Sequence, residues 1–147
     1  MYSPFGLSLH IIVLKHKGGI ILPSIGYIQV NTYTSNARIP LKDVAITVTA
    51  TDGTAIAMRL TDRSGKIVPI PVPVPNIDAG LSPNTGQIPF TSVNLYARRN
   101  GYKQIETEDL QVFPNTTTEQ DLEMIPLSEL PASWSEHQIF QTPVQNL

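Results

Sequence analysis

No cysteine occurs anywhere in the 147 residues, which excludes disulfides, thiolate nucleophiles and cysteine-ligated zinc at once. Charge of one sign is also scarce. A formal net charge of −2 gives the whole chain no electrostatic footprint for nucleic acid or an anionic membrane. The apolar run from Leu7 to Leu14 is interrupted by Ser8 and His10 and falls well short of the roughly 20 residues that a membrane span requires. Motifs of catalysis are missing too: there is no Gly-x-Ser-x-Gly elbow, no His-Glu-x-x-His pair, no Gly-rich phosphate loop and no dinucleotide fingerprint. The pattern therefore calls for no catalytic residue, no metal and no cofactor, and the chain reads as non-enzymatic.

What is present is proline. Thirteen prolines against nine glycines argue against a helical bundle, because proline removes a helix donor and clashes with the preceding turn. The length suits one domain with a real core. Residues 1–21 stand apart from the rest. They lack the basic segment and the small-residue cleavage site of a signal peptide, so the expected location is the cytoplasm of the cell that makes the protein. Lys17 to Leu22, "KGGIIL", back-translates naturally to AAA GGA GGA ATT ATT TTG, a ribosome-binding sequence followed by an alternative start codon. Translation starting at Leu22 is therefore expected, with residues 1–21 an upstream extension or a disordered arm; a β-arm pairing at a sheet edge is the other reading. Starting there removes His10 and His16 and leaves His137 as the one histidine.

From Gly26 the chain alternates. "GYIQVNTYTS" sets Ile28, Val30 and Thr32 against Tyr27, Gln29, Asn31 and Tyr33, the period of a half-buried strand. "VAITVTA" and "AIAMRLT" flank "TDGT", a hairpin turn of the Asp-Gly type whose glycine tolerates positive φ, and are expected to pair antiparallel across Asp52-Gly53. The second run sets Ile56, Met58 and Leu60 against Ala55, Ala57 and Arg59. "VPIPVPVPN" carries proline at every second position. It must be polyproline-like or an edge strand, with Ile70, Val72 and Val74 turned inward. A loop from Ile77 to Pro89 precedes three further runs around Val93 and Leu95, Leu110 and Val112, and Leu122 and Met124. Short strands separated by turn signals imply an all-β fold, a seven-stranded antiparallel β-sandwich, over residues 22–127. Residues 128–147 have no period and are expected to dock as a tail on one edge.

"GYIQV", Pro40, "AITV", "TDRSG", "NGY" and "LQV" together resemble the carboxypeptidase-regulatory-like, transthyretin (prealbumin)-type sandwich. The likeness covers residues 26–127 and is nearest to the accessory domains of peptidoglycan-binding and spore-cortex-lytic proteins of endospore-forming bacteria. The resemblance implies a non-catalytic binding module of the cell envelope or spore, with peptidoglycan or a cell-wall hydrolase as partner. The alternative is a self-assembling structural subunit, appendage-like or phage-like, that uses its C-terminal tail for contacts.

Individual clusters offer little chemistry. Glu106 and Glu108 share one strand face and could reach one ion, but an acidic edge that discourages strand aggregation explains them better. In "TDRSG", Asp62 is expected to accept bonds from the turn amides while Gly65 takes positive φ. "LPASW" lacks the Thr-Gly of a sortase signal, and "NTT" at Asn115 is a sequon without consequence for a bacterial cytosolic protein. Arg98 and Arg99, as neighbours in a strand, point to opposite faces. The candidate ligand or partner surface comprises Tyr27, Tyr33, Tyr96, Arg98, Arg99 and Tyr102. Such aromatics stack on sugar rings or anchor a protein partner, or else pair across strands.

Overall fold

The computed structural model describes residues 14–16, 19–21, 23–75, 89–129 and 137–145. The proposed start at Leu22, nearly all of the Ile77–Pro89 loop and Trp134 lie outside the described residues. The strands in chain order are β1 (Leu14–His16), β2 (Gly19–Ile21), β3 (Ser24–Thr34), β4 (Ile39–Pro40), β5 (Ala45–Ala50), β6 (Ala55–Leu60), β7 (Ile70–Val74), β8 (Thr91–Arg98), β9 (Gln104–Val112), β10 (Thr117–Glu123) and β11 (His137–Gln141). No helix among the described residues is long and apolar enough to cross a membrane.

Two sheets make the sandwich. One has the order β10-β3-β4, with β7 also pairing β3; the other has the order β11-β9-β8-β5-β6. β1 and β2 form a separate antiparallel hairpin. The runs expected as strands appear as β3 and β5 to β10, and the structure adds the short β4 and the tail strand β11.

A purely antiparallel sandwich is not what forms. β10 lies parallel to β3, and β11 lies parallel to β9. The reason for the first is the crossover after β9. At Asn115 the chain turns with φ 57°, and the Asn115 amide donates to the Ile25 carbonyl at 2.9 Å. β10 therefore starts beside the beginning of β3 and can only run alongside it. Gly26 makes the crossover possible, because a Cβ there would collide with the Phe113 carbonyl and the Val112 side chain.

Period-two burial closes the interior. Ile28 and Val30 of β3, Ile70, Val72 and Val74 of β7, and Leu122 of β10 pack against Ile46 and Val48 of β5, Val93 and Leu95 of β8, and Ile105 and Leu110 of β9. Each fully buried aliphatic side chain contributes about 1.5–3 kcal/mol, against about 0–1 kcal/mol for a surface ion pair. The core, and no surface charge, holds the sheets together.

Two local features correct a simple alternation. In β9, Ile105 and Leu110 both face inward although their numbers differ in parity. A bulge opposite Asn94 resolves this: Asp109 adopts φ 55° and its amide donates to Asn94 Oδ1 at 3.2 Å, which resets the phase. In β6, Ala57 is the buried residue, while Met58 and Leu60 are 45% and 60% exposed. The expected pairing of β5 with β6 is present, but its apolar pair faces out. Thr61 dictates this. Its hydroxyl is buried, donating to the Leu41 carbonyl at 2.7 Å and accepting from the Val44 amide at 2.9 Å, so alternation turns Leu60 and Met58 the other way.

The same buried carbonyl of Leu41 accepts Thr32 Oγ1 at 2.8 Å, and the Gly65 carbonyl accepts the Thr32 amide at 2.7 Å. As the sequence implied, Asp62 Oδ1 accepts the amides of Ser64 and Lys66 at 2.8 and 3.1 Å, while Gly65 takes φ 76°. A Cβ on Gly65 would press into the Thr32 carbonyl. We expect Gly65→Ala to cost about 3 kcal/mol, the sum of backbone strain and the displaced Thr32 contact. Urea denaturation checks this, and a loss below about 1 kcal/mol would contradict the close approach.

Candidate functional site

The six residues singled out in the sequence do not form one surface. Tyr27 and Tyr33 lie on the outer face of the β10-β3-β4 sheet, since Ile28, Val30 and Thr32 take the inward positions. Tyr96 and Arg98 lie on the outer face of the other sheet, opposite the buried Val93, Leu95 and Ala97. The two pairs are on opposite sides of the sandwich. Arg99 and Tyr102 sit at one end, where the guanidinium stacks over the Tyr102 ring at 5.3 Å. Tyr102 itself packs against the core and bridges to Pro126, so its first role is to clamp the turn after β8 to the end of β10.

Around Tyr33 the structure builds a cluster that the sequence did not announce. The Arg38 guanidinium lies 4.1 Å from the Tyr33 ring centre and donates to Asp121 Oδ2 at 3.1 Å. Asn31 Nδ2 donates to Asp121 Oδ1 at 2.8 Å. Asn31 Oδ1 is buried without a protein donor. Pro40, Ser64, Lys66 and Glu119 complete a shallow groove around these side chains. Arg38 and Asp121 are 83 positions apart and meet only because β10 lies beside β3. That pairing left no local signal in the sequence.

Asp121 is held below its ordinary value of 3.8 chiefly by the bond from Asn31, and next by Arg38, with burial opposing the shift. Asp62 is lowered too, first by the Ser64 hydroxyl and then by the Lys66 amide. Both sets of bonds stabilise the ionised form and organise the backbone. Neither creates a poised acid or base. Among the described residues, no group of three or more His, Asp and Glu could hold a metal ion.

The outer face of the five-stranded sheet is different in character. Cross-strand pairing aligns Met58, Thr47, Tyr96, Glu106 and Ile139 in one row. A second row aligns Leu60, Ala45 and Arg98. Met58, Leu60 and Ile139 are exposed at 45%, 60% and 55%. Exposed aliphatic side chains on a sheet, flanked by a tyrosine and an arginine, make a surface suited to contact with protein. Tyr96 and Arg98 were legible as part of it. Met58 and Leu60 were not, because alternation alone does not say which face of β6 turns inward.

No protein-family model matches the chain, and no curated protein matches it. Among solved structures, the minor pilin GBS52 of Streptococcus agalactiae is similar with a TM-score of 0.50 and 16% identity, over 79% of this chain and 51% of that one. The major pilin subunit BcpA of Bacillus cereus gives a TM-score of 0.50 and 10% identity, over 73% of this chain and 31% of that one. The 3-chlorocatechol 1,2-dioxygenase of Rhodococcus opacus aligns with a TM-score of 0.46 and 11% identity, over 71% of this chain and 60% of that one. The chain thus spans about half of the minor pilin and about a third of the major one. The likeness to the pilins is one of β-sandwich fold.

A carboxylate lowered in the folded state contributes stability that is fully present above its unfolded value and is lost as pH falls through the folded value. The urea midpoint will therefore fall with pH below about 4. Asp121→Asn will lower the unfolding free energy at neutral pH by less than about 1 kcal/mol, given its half-exposed setting, and will flatten that fall. An identical pH slope in the variant would show that the Asn31–Asp121–Arg38 bonds do not contribute.

Proposed function

We propose that the chain is a non-catalytic structural subunit, a β-sandwich that associates with further copies of itself. The observation that carries this reading is the outer row from Met58 through Thr47, half-buried Tyr96 and Glu106 to Ile139, with Met58, Ile139 and the neighbouring Leu60 all exposed. A surface of this kind is stabilised when another protein covers it. The pilin subunits that share the fold are consistent with such a use. They favour the self-assembling alternative over the peptidoglycan-associated role that the family resemblance implied, to which no described residue cluster lends support.

The absence of enzymatic activity belongs to the same proposal. The polar side chains that do cluster, around Asp121 and around Asp62, are engaged in holding strands and turns.

Sedimentation velocity of the full chain, from micromolar to near-millimolar concentration, tests the reading. The expected result is a mass that rises with concentration above that of the 16.1 kDa monomer. A constant monomer mass throughout would overturn it. Retention of such a monomer on purified peptidoglycan would turn the assignment to the accessory role.

A further inference from the structure

A sheet that ends in open solvent invites another strand, and the two sheets here treat their edges differently. In the β10-β3-β4 sheet, the Tyr27 amide points toward β10, donating to the Thr116 carbonyl at 2.9 Å. The β7 residues opposite Ile25 and Tyr27, which are Pro73 and Pro71, therefore turn their backbone away from β3. Being prolines, they have no N–H to offer an incoming strand. The Pro73 carbonyl is already taken by Thr91 Oγ1 at 2.9 Å. At the other side, β10 carries Glu119, Asp121 and Glu123, which repel a similarly acidic approach. Both long edge strands of this sheet are guarded, and β4, the short strand beside β7 on β3, is two residues long and ends in Pro40.

The five-stranded sheet ends in β6 and β11. The Thr61 amide donates to Val44 at 3.0 Å, so alternation directs the backbone groups of Met58 and Leu60 outward. Consistent with this, the Met58 carbonyl accepts from the Arg59 guanidinium of the same strand at 3.0 Å. On β11, the Thr142 amide donates to Glu108 at 3.1 Å, so the backbone of Ile139 faces away from β9. Among the described residues, the amides of Met58 and Leu60 on β6 and the backbone of Ile139 on β11 thus face outward, beside exposed apolar side chains on the same outer face.

Direction also fits. β6, β5, β8 and β9 alternate in sense, and β11 runs parallel to β9. β6 and β11 consequently run in opposite senses. A second copy in the same orientation, displaced sideways, would bring its β11 antiparallel to β6 of the first. Met58 and Leu60 would then lie alongside Ile139 of the next copy. β6 carries a single charge, Arg59, and β11 has no Asp, Glu, Lys or Arg, so no like charges oppose each other.

We propose that the chain assembles head to tail by strand addition, β6 of one copy pairing antiparallel with β11 of the next to extend the five-stranded sheet through successive subunits. The contact is heterologous, so it leaves a free β6 at one end and a free β11 at the other, and growth is open-ended. This inference rests on the self-assembling reading and adds the route.

Complementation by edge-blocked variants tests it. Met58→Pro and Ile139→Pro each delete an outward N–H that bonds to nothing within the sheet, repeating on these edges the device that β7 already uses. Leu60→Lys and Ile139→Lys form a second pair that does not depend on proline being tolerated, and circular dichroism checks that each is folded. Each variant alone should sediment as a monomer where the unsubstituted chain forms larger species. An equimolar mixture of a β6 variant with a β11 variant should form a heterodimer and stop there, since one open edge of each remains. If the Ile139 variants still dimerise, the contact joins β6 to β6 and the head-to-tail route is wrong. If all the variants assemble as the unsubstituted chain does, the edges are not the contact, although self-assembly stands. If the unsubstituted chain never assembles, both proposals fall.

Discussion

The buried carbonyl of Leu41 ties two strands of opposite sheets to their facing. It accepts the hydroxyls of Thr32 and Thr61, two side chains that would each cost about 1–3 kcal/mol if left unpaired in the interior. With Thr61 committed inward, β6 has no choice of face: Ala57 fills the interior, and Met58 and Leu60 meet solvent. With Thr32 committed inward, Tyr33 and Asn31 are delivered to the outer face of β3, where Arg38 and Asp121 meet them. One polar contact inside the sandwich thus sets the character of both exteriors.

The parts legible in the sequence were those written in local chemistry. Alternation around Ile28 and Val30, the Asp52-Gly53 turn, the Asp62 turn with its Gly65, and the inward Ile70, Val72 and Val74 between prolines all depend on residues a few positions apart. What escaped depends on distance or on parity. Strand direction was lost because the Asn115 crossover that lays β10 parallel to β3 looks like any other turn. The Arg38–Asp121 pair was lost with it. Alternation alone does not say which face of β6 turns inward, and here a buried threonine outranks Met58 and Leu60, because hydrophobicity does not record that a hydroxyl has found its acceptors. The candidate surface was legible only in part: Tyr96 and Arg98 belong to the outer face of the five-stranded sheet, Tyr27 and Tyr33 to the opposite side of the sandwich, and Tyr102 to the packing of a turn.

Guarded and unguarded edges distinguish the two sheets. The proline strand β7 and the acidic strand β10 bound a sheet that ends where it stands. The sheet from β11 to β6 has neither device. Proline thus has a meaning here beyond helix avoidance: by terminating one sheet it leaves the other as the place for the strand addition proposed above.

The parallel alliance of β3 and β10 bears on how the domain answers a pull. Tension that enters ahead of Ser24 and leaves beyond Glu123 draws the two strands along their common axis in opposing senses. Every rung of the ladder from Tyr27–Thr117 to Tyr33–Glu123 is then loaded together in shear, whereas a hairpin pulled from its open end yields rung by rung. A strand arrangement that arose from a short crossover near Gly26 therefore also sets the direction in which the domain is mechanically strongest.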